Sequence, residues 1–250
     1  MSNTTLPRVP MVNLRGVGGL RTRDGDRIRP GLLYRSAAPF DLTAAAAADL
    51  IASLGLGVIV DLRSDGERAG VPWPDLPAGV RLHAVELAAH TPRSHAPAWP
   101  DPFGPLEFGR WYAALAEAGA ERLARLVRML AHPESAPMLV HCTAGKDRTG
   151  IVIACVLDLL DVDDDTIVVD YERTRGAMDE VRTRTTAVLP GLADAAVPEV
   201  VMRADGATLR SCLAELRRAH GGFAPLLARH GLTDRHHEGL RTRFLGGVRR

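Results

Sequence analysis

The chain has no glutamine, one lysine and three cysteines. The cysteines, Cys142, Cys155 and Cys212, are too few and too scattered to make a disulfide framework, which suits a reduced, cytoplasmic setting. No run of roughly 18 apolar residues occurs, so no membrane-spanning helix is expected. Residues 1–10 lack the apolar core of a cleavable signal peptide, and secretion without such a signal stays open. The formal net charge is +1, which excludes the global basic field that nucleic-acid binding uses. The final pair, Arg249-Arg250, is too short to replace it. With 46% hydrophobic content over 250 residues, the chain supports one substantial core and reads as a single domain over 1–250.

What is present is concentrated in one stretch, His141-Cys142-Thr143-Ala144-Gly145-Lys146-Asp147-Arg148-Thr149-Gly150. An apolar strand-like run, Met138 to Val140, leads in, and a helix-like run, Ile151 to Leu160, leads out. A short loop between a strand and a helix N-terminus turns its N–H groups inward and cradles an anion. Arg148 can close the cradle with a bidentate fork onto phosphate oxygens. The same dipoles favour the thiolate of Cys142. A thiolate beneath a phosphate cradle is the apparatus for displacing phosphate from an ester. The lone lysine, Lys146, lies in this loop, while the other 30 basic residues are arginine. Its point charge offers either a second contact for a polyanionic substrate or a partner for a nearby carboxylate.

The loop resembles the Cys-x5-Arg signature of the protein tyrosine phosphatase superfamily, in the form typical of atypical bacterial tyrosine/lipid phosphatases. Further segments extend the resemblance in order along the chain: Asn13-Leu14-Arg15-Gly16-Val17-Gly18-Gly19, Arg29 to Ser36, and Val60-Asp61-Leu62-Arg63-Ser64. Leu14 stands where the group carries an aromatic residue, and Gly16 where it carries an acidic one. These departures bear on packing, not on the nucleophile. The resemblance implies a metal-independent phosphatase without a cofactor that acts on phosphotyrosine, with phosphoserine and phosphothreonine open. A phosphoinositide phosphatase is the alternative, favoured by Lys146. A non-catalytic phosphate-binding module is remote, because nucleophile, arginine, threonine and candidate acids are all present. The partners implied are a phosphorylated protein or a phosphoinositide; oligomeric state is open.

Within this reading Cys142 is the nucleophile, Arg148 and residues Thr143 to Lys146 bind phosphate, and Thr149 donates to the departing thiolate. His141 shapes the loop. The general acid has three candidates. Asp147 comes first, because the group resembled is thought to use its loop aspartate. Asp101, in Trp99-Pro100-Asp101, resembles the mobile acid loop of better-known tyrosine phosphatases. A second Trp73-Pro74-Asp75 shows how readily that tripeptide arises here and lowers its weight. Asp61 is read instead as orienting Lys146 or Arg148. Many tyrosine phosphatases position the hydrolytic water with a glutamine, so here that role is absent or passes elsewhere.

Periodicity supplies the frame. Strands are predicted at 32–35, 58–60, 81–85 and 138–141, with helices over 44–54 (capped by Thr43 and ended by Gly55), 107–132, 151–160 and from Asp163 to 175. The part from 176 to 250 reads as helical, over 181–189, 205–220, 222–230 and 233–244. The fold class is therefore α/β, a mostly parallel central sheet flanked by helices with a helical C-terminal extension. The proline-rich stretch 88–105 reads as a lid over the site. His236-His237 reads as an exposed helical pair rather than a metal site, and Cys155 and Cys212 as core residues.

Overall fold

The computed structural model describes residues 11–87, 104–188 and 199–246. Among these, the strands β1 (Arg15–Gly16), β2 (Leu33–Ser36), β3 (Val58–Asp61), β4 (Arg81–Ala84) and β5 (Met138–His141) form one sheet in the order β1-β2-β5-β3-β4. The β1–β2 pair is antiparallel and the other three pairings are parallel. The expected mostly parallel α/β architecture is what forms.

The sheet is central because β3 and β5 are buried on both faces. Val58, Val60, Met138 and Val140 pack to one side, while Ile59 and Leu139 pack to the other, following the two-residue period of a strand. Helix α1 (Ala44–Leu54) covers the second side through Ala47, Leu50, Ile51 and Leu54, one stripe at helical spacing. Its cap is as expected: the Thr43 hydroxyl accepts from Ala46 N, and Gly55 closes it at φ +61°.

Helix α2 (Asp65–Gly70) follows β3, and α3 (Pro105–Ala118) and α4 (Ala120–Ala131) follow β4. The single helix expected over 107–132 is thus two helices, broken at Gly119. A Cβ there would sit 2.3 Å from Leu87 Cδ1, so glycine lets the buried Leu87 reach the backbone at the junction. No backbone group is lost, since Gly119 N donates to Leu115 O and Leu123 N donates to Gly119 O.

Beyond β5 come α5 (Asp147–Leu159), α6 (Asp164–Glu172, capped by Asp163), a 3₁₀ turn over Arg173–Ala177, and α7 (Met178–Val188). The chain then forms α8 (Glu199–Met202), α9 (Gly206–His220), α10 (Phe223–Ala228) and α11 (Asp234–Leu245). The C-terminal part is therefore helical as read; α8, and earlier in the chain β1 and α2, were not anticipated. Cys155 and Cys212 are core residues, and burial raises both thiols. The registers end Ser36, His141 and Asp61 side by side. That places the loop after β5 at the carboxyl edge of the sheet, where open α/β sheets bind ligands.

Helix α9 lies along α3 with little clearance. A Cβ on Gly109 would meet Ser211 Cβ at 2.4 Å and Thr208 O at 2.5 Å. Helix propensity favours alanine by about 1 kcal/mol, but overpacking costs about 1–3 kcal/mol, and a backbone oxygen cannot step aside. Gly109→Ala is expected to lower the urea midpoint. A raised midpoint would show that the two helices do not approach this closely.

Candidate active site

Residues 142–146 form a loop ahead of α5, and the carbonyls of Thr143, Ala144 and Gly145 point outward to named donors. Ala38 N donates to Thr143 O at 3.0 Å, and Asn13 Nδ2 donates to Ala144 O at 3.2 Å and Gly145 O at 3.0 Å. Arg35 Nη2 also donates to Gly145 O, at 2.8 Å. By contrast, the N–H groups of Thr143, Ala144, Gly145 and Lys146 have no acceptor among the described residues. Orphan N–H groups on one small loop, before the N-terminus of α5, make an anion nest. Gly145 takes φ +66°, and a Cβ there would lie 2.3 Å from Ser36 O, so only glycine fits.

Cys142 lies at the base of the loop and is 1% exposed. Thr149 Oγ1 is buried without a hydrogen-bond partner among the described residues, a donor in reserve. Arg148 is anchored by Glu67, with Nη1–Oε2 at 2.8 Å and Nη2–Oε1 at 2.7 Å. Thr143 Oγ1 also donates to Glu67 Oε1, at 2.6 Å. Burial alone would raise the Glu67 pKa, but the bonds and charge of Arg148 prevail and hold it far below its ordinary 4.5. The same pair overcomes burial at Arg148 and makes its guanidinium harder to deprotonate. Glu67 was not anticipated. Its signal was present as Ser64-x-x-Glu67, a capping box that forms at the start of α2 and aims the carboxylate at the loop.

Asp147 opens α5, its side chain 25% exposed. The Tyr112 hydroxyl donates to Asp147 Oδ1, and Lys146 Nζ lies 3.1 Å from the same oxygen. Tyr171 Oη is 2.8 Å from Tyr112 Oη. Burial and the Asp147 charge push the Tyr112 pKa well above 10, so it stays a neutral donor. Lys146 is 1% exposed and buried with Val201 O, Arg203 O and the Phe108 ring. Of its two sequence-based roles, the carboxylate partner is the one formed.

Asp61 corrects an expectation, because it contacts neither Lys146 nor Arg148. Its carboxylate binds Arg63 with Nε–Oδ1 at 2.9 Å and Nη2–Oδ2 at 2.7 Å, and lies 3.5 Å from His141 Nε2. Trp73 Nε1 donates to His141 Nε2 at 2.9 Å, which assigns the proton to Nδ1, 3.2 Å from Cys142 O. His141 thus props the cysteine's own carbonyl, and the Trp73 tripeptide that seemed incidental supplies its brace. Burial, opposed by Asp61, pushes His141 down to about 4. Asp101 and the segment 88–103 lie outside the described residues. Among the described residues, no cluster of three His, Cys, Asp or Glu side chains could hold a metal, and no helix is long and apolar enough to cross a membrane.

Two acid-range predictions follow from the signs of these shifts. Glu67, with its pKa depressed, stabilises the fold fully above its ordinary 4.5 and loses that contribution as pH falls towards its lowered value. Glu67→Gln should cost about 1–3 kcal/mol at neutral pH and flatten the stability profile below pH 4.5 in urea titrations. His141 is buried neutral, so the unfolded chain takes up a proton first. Stability should fall as pH drops from 6.5 to about 4, by a few kcal/mol at about 1.4 kcal/mol per unit. His141→Asn should remove that slope, and an unchanged slope would show that His141 titrates alike in the folded and unfolded chain.

The family model described as "Tyrosine phosphatase family" matches residues 7–246. A protein of Cupriavidus necator, whose name assigns it provisionally to the tyrosine-protein phosphatases, is 34% identical over 169 residues, 64% of this chain and 59% of that one. The chain thus spans less than two thirds of that relative's length. The triple specificity protein phosphatase PtpB of Mycobacterium tuberculosis is 33% identical over 203 residues, 70% of this chain and 72% of that one. Among solved structures, P. aeruginosa TpbA matches with 22% identity and a TM-score of 0.32, over 72% of this chain and 86% of that one. The chain belongs to the tyrosine phosphatase family.

Proposed function

We propose that this chain is a cysteine-dependent phosphatase, needing no metal, that hydrolyses phosphotyrosine through a cysteinyl-phosphate intermediate. The observation that carries the reading is the set of unpartnered N–H groups from Thr143 to Lys146 above Cys142, with Arg148 fixed beside them by Glu67. Cys142 Sγ attacks phosphorus in line with the leaving oxygen. The loop N–H groups and Arg148 take up charge on the three equatorial oxygens. Thr149 Oγ1 has a donor to spare for the thiolate, both at the start and when water releases phosphate.

Asp147 serves as the acid, and its surroundings suggest how. Tyr112 and Lys146 both hold Oδ1, leaving Oδ2 for the transferable proton. The proton passes to the leaving oxygen in the first step. In the second, the carboxylate accepts a proton from the attacking water, returning the enzyme to its starting state. Water positioning, lacking a glutamine, falls to this same carboxylate.

The name of the M. tuberculosis relative, a triple specificity phosphatase, supports a range wider than phosphotyrosine. The phosphoinositide alternative drew on Lys146 as a headgroup contact, and an ammonium 1% exposed and engaged with three oxygens lends it no support.

The test is phosphate release from phosphotyrosine and phosphothreonine peptides and from phosphoinositides, in chelator and reductant. Cys142→Ser should bring turnover to background while phosphate still binds; wild-type-like turnover in that variant would sink the mechanism. Asp147→Asn should slow a substrate with a poor leaving group by roughly 10²–10⁴-fold and barely affect an activated aryl phosphate. Equal losses on both substrates would remove Asp147 from the acid role.

A further inference from the structure

The pole opposite the phosphate loop carries a cavity of about 870 Å³ at the crossing of α4 and α11, lined by Arg29, Arg128, His132, Arg235, His236 and Arg243. Its location follows from β5. Arg243 Nη2 donates to Ala136 O, 3.3 Å away and ahead of the strand, whereas Cys142 comes after it. Six residues of near-extended chain separate the two sites by about 20 Å.

Many arginines elsewhere in the molecule are paired with a carboxylate. Arg63 pairs with Asp61, Arg148 with Glu67 and Arg217 with Asp164. Among the described residues, Arg29, Arg128, Arg235 and Arg243 have no carboxylate within ion-pair distance. What they touch is backbone. Arg243 Nη1 donates to Leu130 O and His132 O, each at 3.2 Å, Arg128 Nη1 to His230 O at 3.0 Å, and Arg29 Nη1 to Arg243 O at 3.5 Å. Leu130 and His132 close α4 and Arg243 lies in the last turn of α11, so these carbonyls fix the forks at helix C-termini. Glu238 is the one carboxylate among the lining residues, so four guanidinium groups leave three positive charges unmatched. The volume falls within the roughly 300–1,000 Å³ typical of small-molecule sites.

We propose that this cavity binds a small polyanion carrying two or more phosphate groups, at a site separate from the phosphate loop. Guanidinium forks match phosphate oxygens in pairs. One phosphate monoester brings only about 1.5–2 negative charges at neutral pH, which three unmatched positive charges exceed. The site does not depend on the phosphatase reading, since no lining residue belongs to the loop. It offers a product-like or regulatory anion a place to bind without occupying Cys142.

The test is calorimetric titration of the full chain with sodium tripolyphosphate at fixed ionic strength, in the wild type, Arg148→Ala and Arg128→Glu/Arg235→Glu. Two binding events are expected in the wild type. Arg148→Ala should lose the loop event alone, and the double variant should weaken the other by roughly tenfold or more. Arg235 is exposed and makes no hydrogen bond among the described residues, so Arg235→Glu alone, weakening the same event, separates lost binding from lost folding. A single event abolished by Arg148→Ala and untouched by the double variant overturns the proposal while leaving the loop reading intact. A single event lost only in the double variant upholds the cavity and counts against the loop. A second arm uses phosphatidylcholine vesicles doped with phosphatidylinositol bisphosphate. Vesicle binding lost in the double variant identifies a lipid headgroup as the ligand's source, and tripolyphosphate binding without vesicle binding identifies a free metabolite.

Discussion

Everything at the proposed catalytic site depends on which way one backbone loop faces. A short loop can present its N–H groups to an anion only if its carbonyls are satisfied elsewhere. Here the outward face is built from distant parts of the chain. Arg35, from β2, reaches Gly145 O, and Asn13, ahead of β1, reaches two carbonyls at once. Arg35 is held by Asp170 on α6 at 2.6 Å, and Asp170 in turn takes Arg15 Nε at 3.1 Å. All three charges are nearly inaccessible to water. Such burial is costly and its net contribution to stability small. Its product is orientation, because Asp170 is what holds both guanidinium groups in place, and without it two buried cations lose their carboxylate and the Arg35 donor to Gly145 O loses its anchor.

Around this frame, each polar group near the loop carries its own brace. Arg148 has Glu67, His141 has Trp73, and Asp147 has Tyr112 and Lys146. The braces come from α2, the segment after it, α3 and the loop itself, so the site is assembled from several elements at the sheet's carboxyl edge. Two of these groups show how surroundings set a protonation state. Glu67 stays ionised because Arg148 outweighs burial, whereas His141 stays neutral because burial outweighs Asp61. The difference is geometric: Glu67 meets its cation through two short bonds, and the Asp61 carboxylate is already spent on Arg63.

The legibility of this arrangement in the sequence followed the range of the interaction. Local signals were readable, such as the apolar runs of β3 and β5, the Thr43 and Asp163 caps, and the glycine that ends α1. The cradle was readable too, because its residues are consecutive. Contacts between segments far apart in sequence were not. Nothing local in Asp170 or Tyr112 announces a partner more than 30 residues away, and Asp61 was assigned to the wrong cation because adjacency in space was guessed from proximity to a strand end. Gly119 shows the same limit, since the side chain that leaves no room for a Cβ there is Leu87, over 30 residues earlier in the chain.

The solitary lysine is where composition and geometry meet. A chain that uses arginine at 30 basic positions has lysine only at 146. An arginine there would bring five donors in a rigid plane. The surroundings of Lys146 Nζ offer three oxygens, Asp147 Oδ1, Val201 O and Arg203 O, beneath the face of Phe108. An ammonium has three donors disposed about a point, so every donor finds an acceptor and none is left buried and unsatisfied. A guanidinium in the same cage would strand donors out of reach of water, at about 1–3 kcal/mol apiece. The cage therefore selects lysine over arginine on hydrogen-bond count alone, and in doing so it ties α8 to the residue that opens α5.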